Sequence, residues 1–218
     1  MKTHIDESLY HDICADVKNK VWPNRIDYQS LLAGKIRDEY GFDDSLKVKY
    51  ENLLKPYIIE YVKQLITTWH CRAQETMSDP YSKEYNVLSH LHNLELTGLW
   101  ANFQKRLEYN PIHTHGGDIS FVLYIDVPEE IYHEMKIDRG HPNGTITFTE
   151  RLPLSHEREM LSSHSRYLKN LLDPIVSTDG LCPTNGELYI FPAHLHHSVE
   201  CFQSDVTRVT VSGNWILT

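Results

Sequence analysis

The spacing of apolar and polar positions changes near the middle of the chain. Within residues 45–70, SLKVKYENLLKPYIIEYVKQLITTWH, Leu54, Tyr57, Tyr61 and Leu65 recur at steps of three and four, and Ile58 and Val62 widen the stripe. That spacing predicts a long helix with one buried face, in which Pro56 either kinks the axis or marks the first turn. Shorter amphipathic helices are predicted around 6–20 and 27–40, ended by WPN and YGFDD. From about residue 86 the pattern becomes that of strands. LELTGLWANFQKRLEYN, DISFVLYIDVP, GTITFTE, GELYIFP and TRVTVSGNWIL are rich in β-branched and aromatic residues and bounded by turn formers. Two tracts interrupt them: 128–143 and the polar 154–180, which reads as a helix-bearing insertion. The order predicts a mainly β protein, a sandwich or barrel buttressed by N-terminal helices.

Length and composition narrow the class. A chain of 218 residues suits a single domain, with 1–85 as helical support and 86–218 as the strand-rich core carrying the 154–180 insertion. No run approaches the roughly eighteen apolar residues of a membrane span, and the polar N-terminus does not resemble a signal peptide. The net charge of −9, with scattered lysines and arginines, argues against nucleic acid as a partner. Cys14, Cys71, Cys182 and Cys201 lie far apart and form no CxxC pair, which points to free thiols in a reducing, cytoplasmic setting. The sequence leaves the oligomeric state open.

Fourteen histidines are the unusual count, and they crowd around 113–115 and 194–197. In a strand, His113 and His115 of PIHTHGGD point to one face, as a pair gripping a divalent metal must. Gly116 and Gly117 then permit a turn that could return Asp118 to the same point. In FPAHLHHSV, a bend at Phe191–Pro192 precedes His194, His196 and His197, one of which could complete a metal site from a distal strand. Taken alone, each group also fits a surface histidine loop. In TRVTVSGN, alternation aligns Arg208, Thr210 and Ser212 on one face. An inward arginine in a sandwich needs an anion, and its planar fork suits a carboxylate.

This combination resembles the 2-oxoglutarate- and Fe(II)-dependent oxygenases, and more closely a subgroup of oxygenases common in phage and marine bacterial sequences. That subgroup's pattern is met in order by His113, His115, Ser120, Val122, Tyr124, Pro128, Gly186, Leu188, Phe191, Pro192, His197, Val199, Arg208, Thr210, Ser212 and Asn214, so the resemblance covers about residues 98–215. It implies a double-stranded β-helix, or jelly-roll, core. It implies that His197 is the distal iron ligand, that Arg208 binds the far carboxylate of 2-oxoglutarate, and that Tyr124 and Thr210 assist. The implied cofactors are Fe(II), with 2-oxoglutarate and dioxygen as co-substrates, and the implied reaction is hydroxylation.

One departure stands out. Members of the broader family carry a carboxylate where this chain has His115. The expected ligand set is His113, His115 and His197, with Asp118 as the rival for the third place; two histidines completed by water is a further option. A metal-binding cupin is the alternative class, because GELYIFPAHLHH also has the spacing of a cupin motif. Arg208 discriminates, since a cupin has no need of it. A non-catalytic jelly roll that binds a ligand is the third reading. The substrate, small-molecule or peptidyl, is not encoded by fold and co-substrate site.

Overall fold

Two antiparallel sheets, joined by one apolar layer, form the body of the protein in a computed structural model that describes residues 1–76, 93–137, 143–149 and 180–217. The larger sheet is built on β4 (Leu94–Lys105), β6 (Ile119–Asp126), β9 (Glu187–Pro192) and β11 (Thr207–Leu217). Three short N-terminal strands extend it: β1 (Lys2–His4), β2 (Ile26–Asp27) and β3 (Glu39–Gly41), giving the order β1-β9-β6-β11-β4-β3-β2. The smaller sheet runs β5-β10-β7-β8, with β5 at Asn110–His113, β7 at Ile146–Thr149, β8 at Gly180–Leu181 and β10 at His196–Val199.

Both faces of the larger sheet are covered, which explains why its strands read as near-continuous apolar runs rather than a clean alternation. Val122, Tyr124, Tyr189 and Phe191 face the smaller sheet and pack with Ile146, Phe148 and Phe202. Phe121, Leu123, Ile125, Leu188 and Ile190 face the other way, toward α1 (Glu7–Asp16) and α3 (Asp44–Thr76). Each fully buried side chain in this layer, such as Ile13, Leu54 and Ile58, contributes about 1.5–3 kcal/mol. This is the jelly-roll core with helical buttress that the sequence pattern and the resemblance implied.

The long helix runs through Pro56 without ending there. Pro56 lies on the solvent side, where the carbonyl that loses its partner can bond water instead. The helix predicted at 6–20 is present as α1 continued by a π-turn at Val17–Val21 and the short α2 (Trp22–Asn24).

The helix predicted at 27–40 does not form. That stretch is β2, a 3-10 turn at Gln29–Leu31, a strap and β3. The edge of β4 competes for its backbone: Glu39, Tyr40 and Gly41 pair with Asn102, Ala101 and Trp100. Gly34, at φ +134°, also breaks any helix there.

The 128–143 tract contains α4 (Glu129–Ile137). Its Ile131 is fully buried, and the Glu134 carboxylate accepts bonds from the Gln203 and Ser204 amides at 2.7 Å, so α4 is tied to the turn before β11. The insertion expected over 154–180 lies outside the described residues up to Gly180, as do 77–92 and 138–142.

Candidate active site

His113 ends β5 and His197 lies on β10, and the two are direct cross-strand partners. Their ring centroids are 4.3 Å apart, and that of His115 lies 5.0 Å from each. His115 follows the strand rather than continuing it, and its amide is held by the Ala193 carbonyl at 2.8 Å. One ring nitrogen from each of the three histidines falls within a 4.8 Å cluster.

The tautomers of two rings follow from their partners. The Nδ1 of His113 contacts the Pro111 carbonyl (2.7 Å), and the Nδ1 of His197 contacts the Leu195 carbonyl (2.9 Å). A carbonyl only accepts, so each Nδ1 carries the proton and each Nε2 presents a lone pair. Burial, reinforced by the neighbouring histidines, pushes the imidazole pKa values down, to about 4 for His115 and about 3 for His197. Burial lowers His113 as well. All three are neutral near pH 7, the state that binds a metal ion.

Asp118, the rival third ligand, is occupied elsewhere. The Gly116–Gly117 turn sends it under β11, where its carboxylate accepts the Leu217 amide at 2.8 Å. Its own amide and carbonyl bond Trp215 and Ala193. The described metal-competent cluster is His113, His115 and His197, without Asp118.

The three rings line one cavity of about 190 Å³ together with Arg208, Thr210 and Tyr124. Arg208 is 1% exposed. Its Nη1 donates to the Gly144 carbonyl and its Nη2 to Gln104 Oε1, while Nε has no partner. None of the described ion pairs neutralises it. Burying such a charge is costly unless an anion meets it. Tyr124 is fully buried, its ring centroid 5.9 Å from the guanidinium carbon, and burial raises its hydroxyl pKa to about 12, which keeps it a neutral donor. Thr210 lies opposite Tyr124 in the β6–β11 register.

Sequence reasoning missed the residues that hold Arg208 and Thr210 in place. Trp100, Asn102 and Gln104 of β4 stand opposite Ser212, Thr210 and Arg208 of β11. Asn102 donates to the Thr210 hydroxyl (3.0 Å) and the Ser212 hydroxyl (3.2 Å), and accepts from Trp100 Nε1 (3.0 Å). Gln104 turns its amide nitrogen to the Glu108 and Glu200 carbonyls, leaving Oε1 for Arg208. The signal was available: amide side chains at alternate positions of an apolar strand, on the side that faces Arg208.

A jelly roll that brings three neutral imidazoles and a buried arginine to one cavity has the architecture of a non-haem metal oxygenase. The chain matches the family described as "Putative 2OG-Fe(II) oxygenase" over residues 98–214, more than half its length, and belongs to that family. Its cofactors are accordingly Fe(II) and 2-oxoglutarate, and the residues present fit both: neutral imidazoles for the metal, and an arginine with an unpartnered buried Nε for a carboxylate. The family match selects the oxygenase over the cupin.

Several solved structures are similar. A Pseudomonas putida prolyl-4-hydroxylase has a TM-score of 0.52 at 11% identity, covering 100% of this chain and 92% of that one, and it shows the shared fold. The α-ketoglutarate-dependent epimerase SnoN from nogalamycin biosynthesis has a TM-score of 0.46 at 11% identity, covering 99% and 76%. An oxidoreductase of the 2OG-Fe(II) oxygenase family from Burkholderia pseudomallei has a TM-score of 0.36 at 8% identity, covering 57% and 45%, so this chain spans less than half of that protein. No curated protein sequence matches the chain. No helix among the described residues is long and apolar enough to cross a membrane.

Proposed function

We propose that the protein is a 2-oxoglutarate-dependent dioxygenase that hydroxylates its substrate, with His113, His115 and His197 holding Fe(II) through Nε2 of the first and last and a ring nitrogen of His115. Arg208 receives the distal carboxylate of 2-oxoglutarate, with Thr210 and Tyr124 beside it as neutral hydrogen-bonding groups. The observation that supports this most is the meeting of the imidazole cluster and the uncompensated Arg208 charge in one cavity. When bound, iron and 2-oxoglutarate supply the oxidising chemistry by coupling decarboxylation to dioxygen reduction.

The chain's own residues do the positioning. Backbone carbonyls of Pro111 and Leu195 lock two imidazoles in the ligating tautomer, and the Ala193 carbonyl holds the segment that bears the third. Gly144 and Gln104 set the plane of the Arg208 fork before any anion arrives, so little side-chain freedom is lost on binding. Phe148 and Phe191 flank His197, with ring centroids 5.9 and 4.8 Å away, and shield that ligand from water. Free thiols at Cys14, Cys182 and Cys201 accord with a reducing, cytoplasmic setting.

The test is succinate production from 2-oxoglutarate with Fe(II), ascorbate and dioxygen, comparing wild type with Arg208→Ala. Slow turnover in the wild type should vanish in the variant while metal content stays at one per chain. A variant that turns over like wild type, or that loses its metal, would overturn the assignment of Arg208.

A further inference from the structure

The cavity face of β11 carries hydrogen-bond donors at alternate positions, and the function proposed above uses only the first two. Arg208, Thr210 and Ser212 all line the cavity that the three histidines share. Alternate positions of an extended strand stand roughly 7 Å apart, so Ser212 is roughly 13 Å along the strand from Arg208.

Asn102 decides what the two hydroxyls can do. Trp100 Nε1 can only donate, and it lies 3.0 Å from Asn102 Oδ1, which identifies that atom as the oxygen. The other terminal atom is therefore the nitrogen. It has two hydrogens, and both are used: one on Thr210 Oγ1 at 3.0 Å, the other on Ser212 Oγ at 3.2 Å. A hydroxyl that accepts from Asn102 must donate its own proton elsewhere. Neither proton goes to another described residue, so both are left for what the cavity binds.

Sheet register puts the two hydroxyls at different ends of the cavity. Thr210 stands between Asn102 and Tyr124, next to Arg208. Ser212 stands between Trp100 and Val122, and the Trp100 ring centroid is 5.7 Å from that of His115. One row further on, Asn214 pairs with Ser120 and Ser120 with Phe191, whose ring centroid is 4.8 Å from that of His197. The donor row thus runs from the arginine end to the histidine end, and Ser212 belongs to the histidine end. His113 and His197 supply no donor there, because each spends its Nδ1 proton on a backbone carbonyl.

2-Oxoglutarate carries a carboxylate at both ends. With one on Arg208, the other falls at the histidine end, where its oxygens need donors. We propose that Ser212 is a co-substrate-binding residue whose hydroxyl donates to the metal-end carboxylate of 2-oxoglutarate, and that Asn102 is the positioning residue that frees its proton to do so. The inference rests on the co-substrate site proposed above and adds a contact that Arg208, Thr210 and Tyr124 do not make. The hydroxyl is ordered before the ligand arrives, so little side-chain freedom is lost on binding.

The test is anaerobic titration of the Fe(II)-loaded protein with 2-oxoglutarate, followed by the visible charge-transfer absorption of a 2-oxo acid bound to Fe(II). Its saturation gives Kd, and its wavelength reports hydrogen bonding at the metal end. Ser212→Ala should raise Kd about tenfold or more, as loss of one hydrogen bond to a charged group does, and should move the band. Arg208→Ala should raise Kd and leave the band in place, because it acts at the far end. Asn102→Asp turns both hydroxyl protons back onto the new carboxylate, and should move the band as Ser212→Ala does.

Wild-type Kd and wavelength in Ser212→Ala would overturn the proposal. So would a raised Kd with an unmoved band, which would put the Ser212 contact away from the metal end. A band moved by Ser212→Ala but not by Asn102→Asp would remove the positioning role of Asn102. No band in the wild type, with no heat of 2-oxoglutarate binding by calorimetry, would remove the co-substrate site and this inference with it. A wild-type band that responds only to Arg208→Ala removes this inference alone.

Discussion

His113 and His197 face one another across the β5–β10 pair, 84 residues apart in the chain, with ring centroids 4.3 Å apart and each Nδ1 tied to a carbonyl two residues before it. The arrangement leaves the two Nε2 lone pairs free, and one ring nitrogen from each of His113, His115 and His197 lies within 4.8 Å of the others. His197→Ala should therefore lower bound metal from one per chain to a small fraction, measured by metal analysis after dialysis. Asp118→Asn should keep the metal, because that side-chain oxygen serves the Leu217 amide and the asparagine oxygen can still accept it; exchanging a charged for a neutral acceptor should cost about 1 kcal/mol of stability. Metal loss in Asp118→Asn with retention in His115→Ala would make Asp118 the third ligand.

Gln104 acts through Arg208. Replacing it by leucine removes the acceptor for Nη2 and leaves that donor buried, a loss of about 1–3 kcal/mol. If the loss falls on co-substrate binding, KM for 2-oxoglutarate rises by roughly 5- to 150-fold with kcat far less affected. Gln104→Glu should raise KM as well, since a carboxylate at that place competes for the guanidinium. A lower Tm with an unchanged KM in both variants would reduce Gln104 to a structural residue.

Glu39 gives the stability a pH dependence of its own. It is 2% exposed, its Oε1 has no partner, and burial, with Glu108 adding repulsion, raises its pKa from 4.5 to about 8. The folded state thus binds a proton that the unfolded chain releases above its own pKa. The stabilisation is complete below pH 4.5 and is lost as pH rises through 8. Glu39→Gln should flatten the slope of stability against pH between 5 and 8, and at pH 8 should be more stable than wild type by on the order of 3 kcal/mol. Denaturant unfolding at four pH values would show it, and parallel curves for the two proteins would count against it.

Gly117 shapes the turn between His115 and Asp118. It holds φ +92°, and a Cβ there would lie 2.7 Å from the Trp215 carbonyl oxygen. Gly117→Ala should cost about 1–3 kcal/mol and weaken metal binding by shifting His115, both measurable on one preparation. Wild-type metal affinity in a destabilised variant would mean the turn does not position His115.

Local chemistry was legible before the fold was known. Alternation placed strands at GELYIFP and TRVTVSGNWIL, and both are present as β9 and β11. The same alternation put Arg208, Thr210 and Ser212 on one face, while that Arg208 faces inward came from the structure. Gln104 and Asn102 were not singled out, because an amide in a strand carries no meaning until its cross-strand partner is known. The strap at 28–36 was misread as helix, because a helical period in a short segment is a weak preference that edge pairing with β4 overrides.

The sequence by itself determined which donors are available: histidines two apart in PIHTHGGD, histidines after the FP bend, and an arginine eleven residues beyond His197. Alternation is a property of each strand, so the face each side chain occupies is written locally. Only the tertiary structure gathered the His115 ring with those of His113 and His197 while tying the Asp118 carboxylate to the Leu217 amide, joined the strap to the β5 edge, and set Gln104 beside Arg208. Each of these depends on register between segments tens of residues apart, and register follows from how two sheets share one buried layer, which no local spacing specifies.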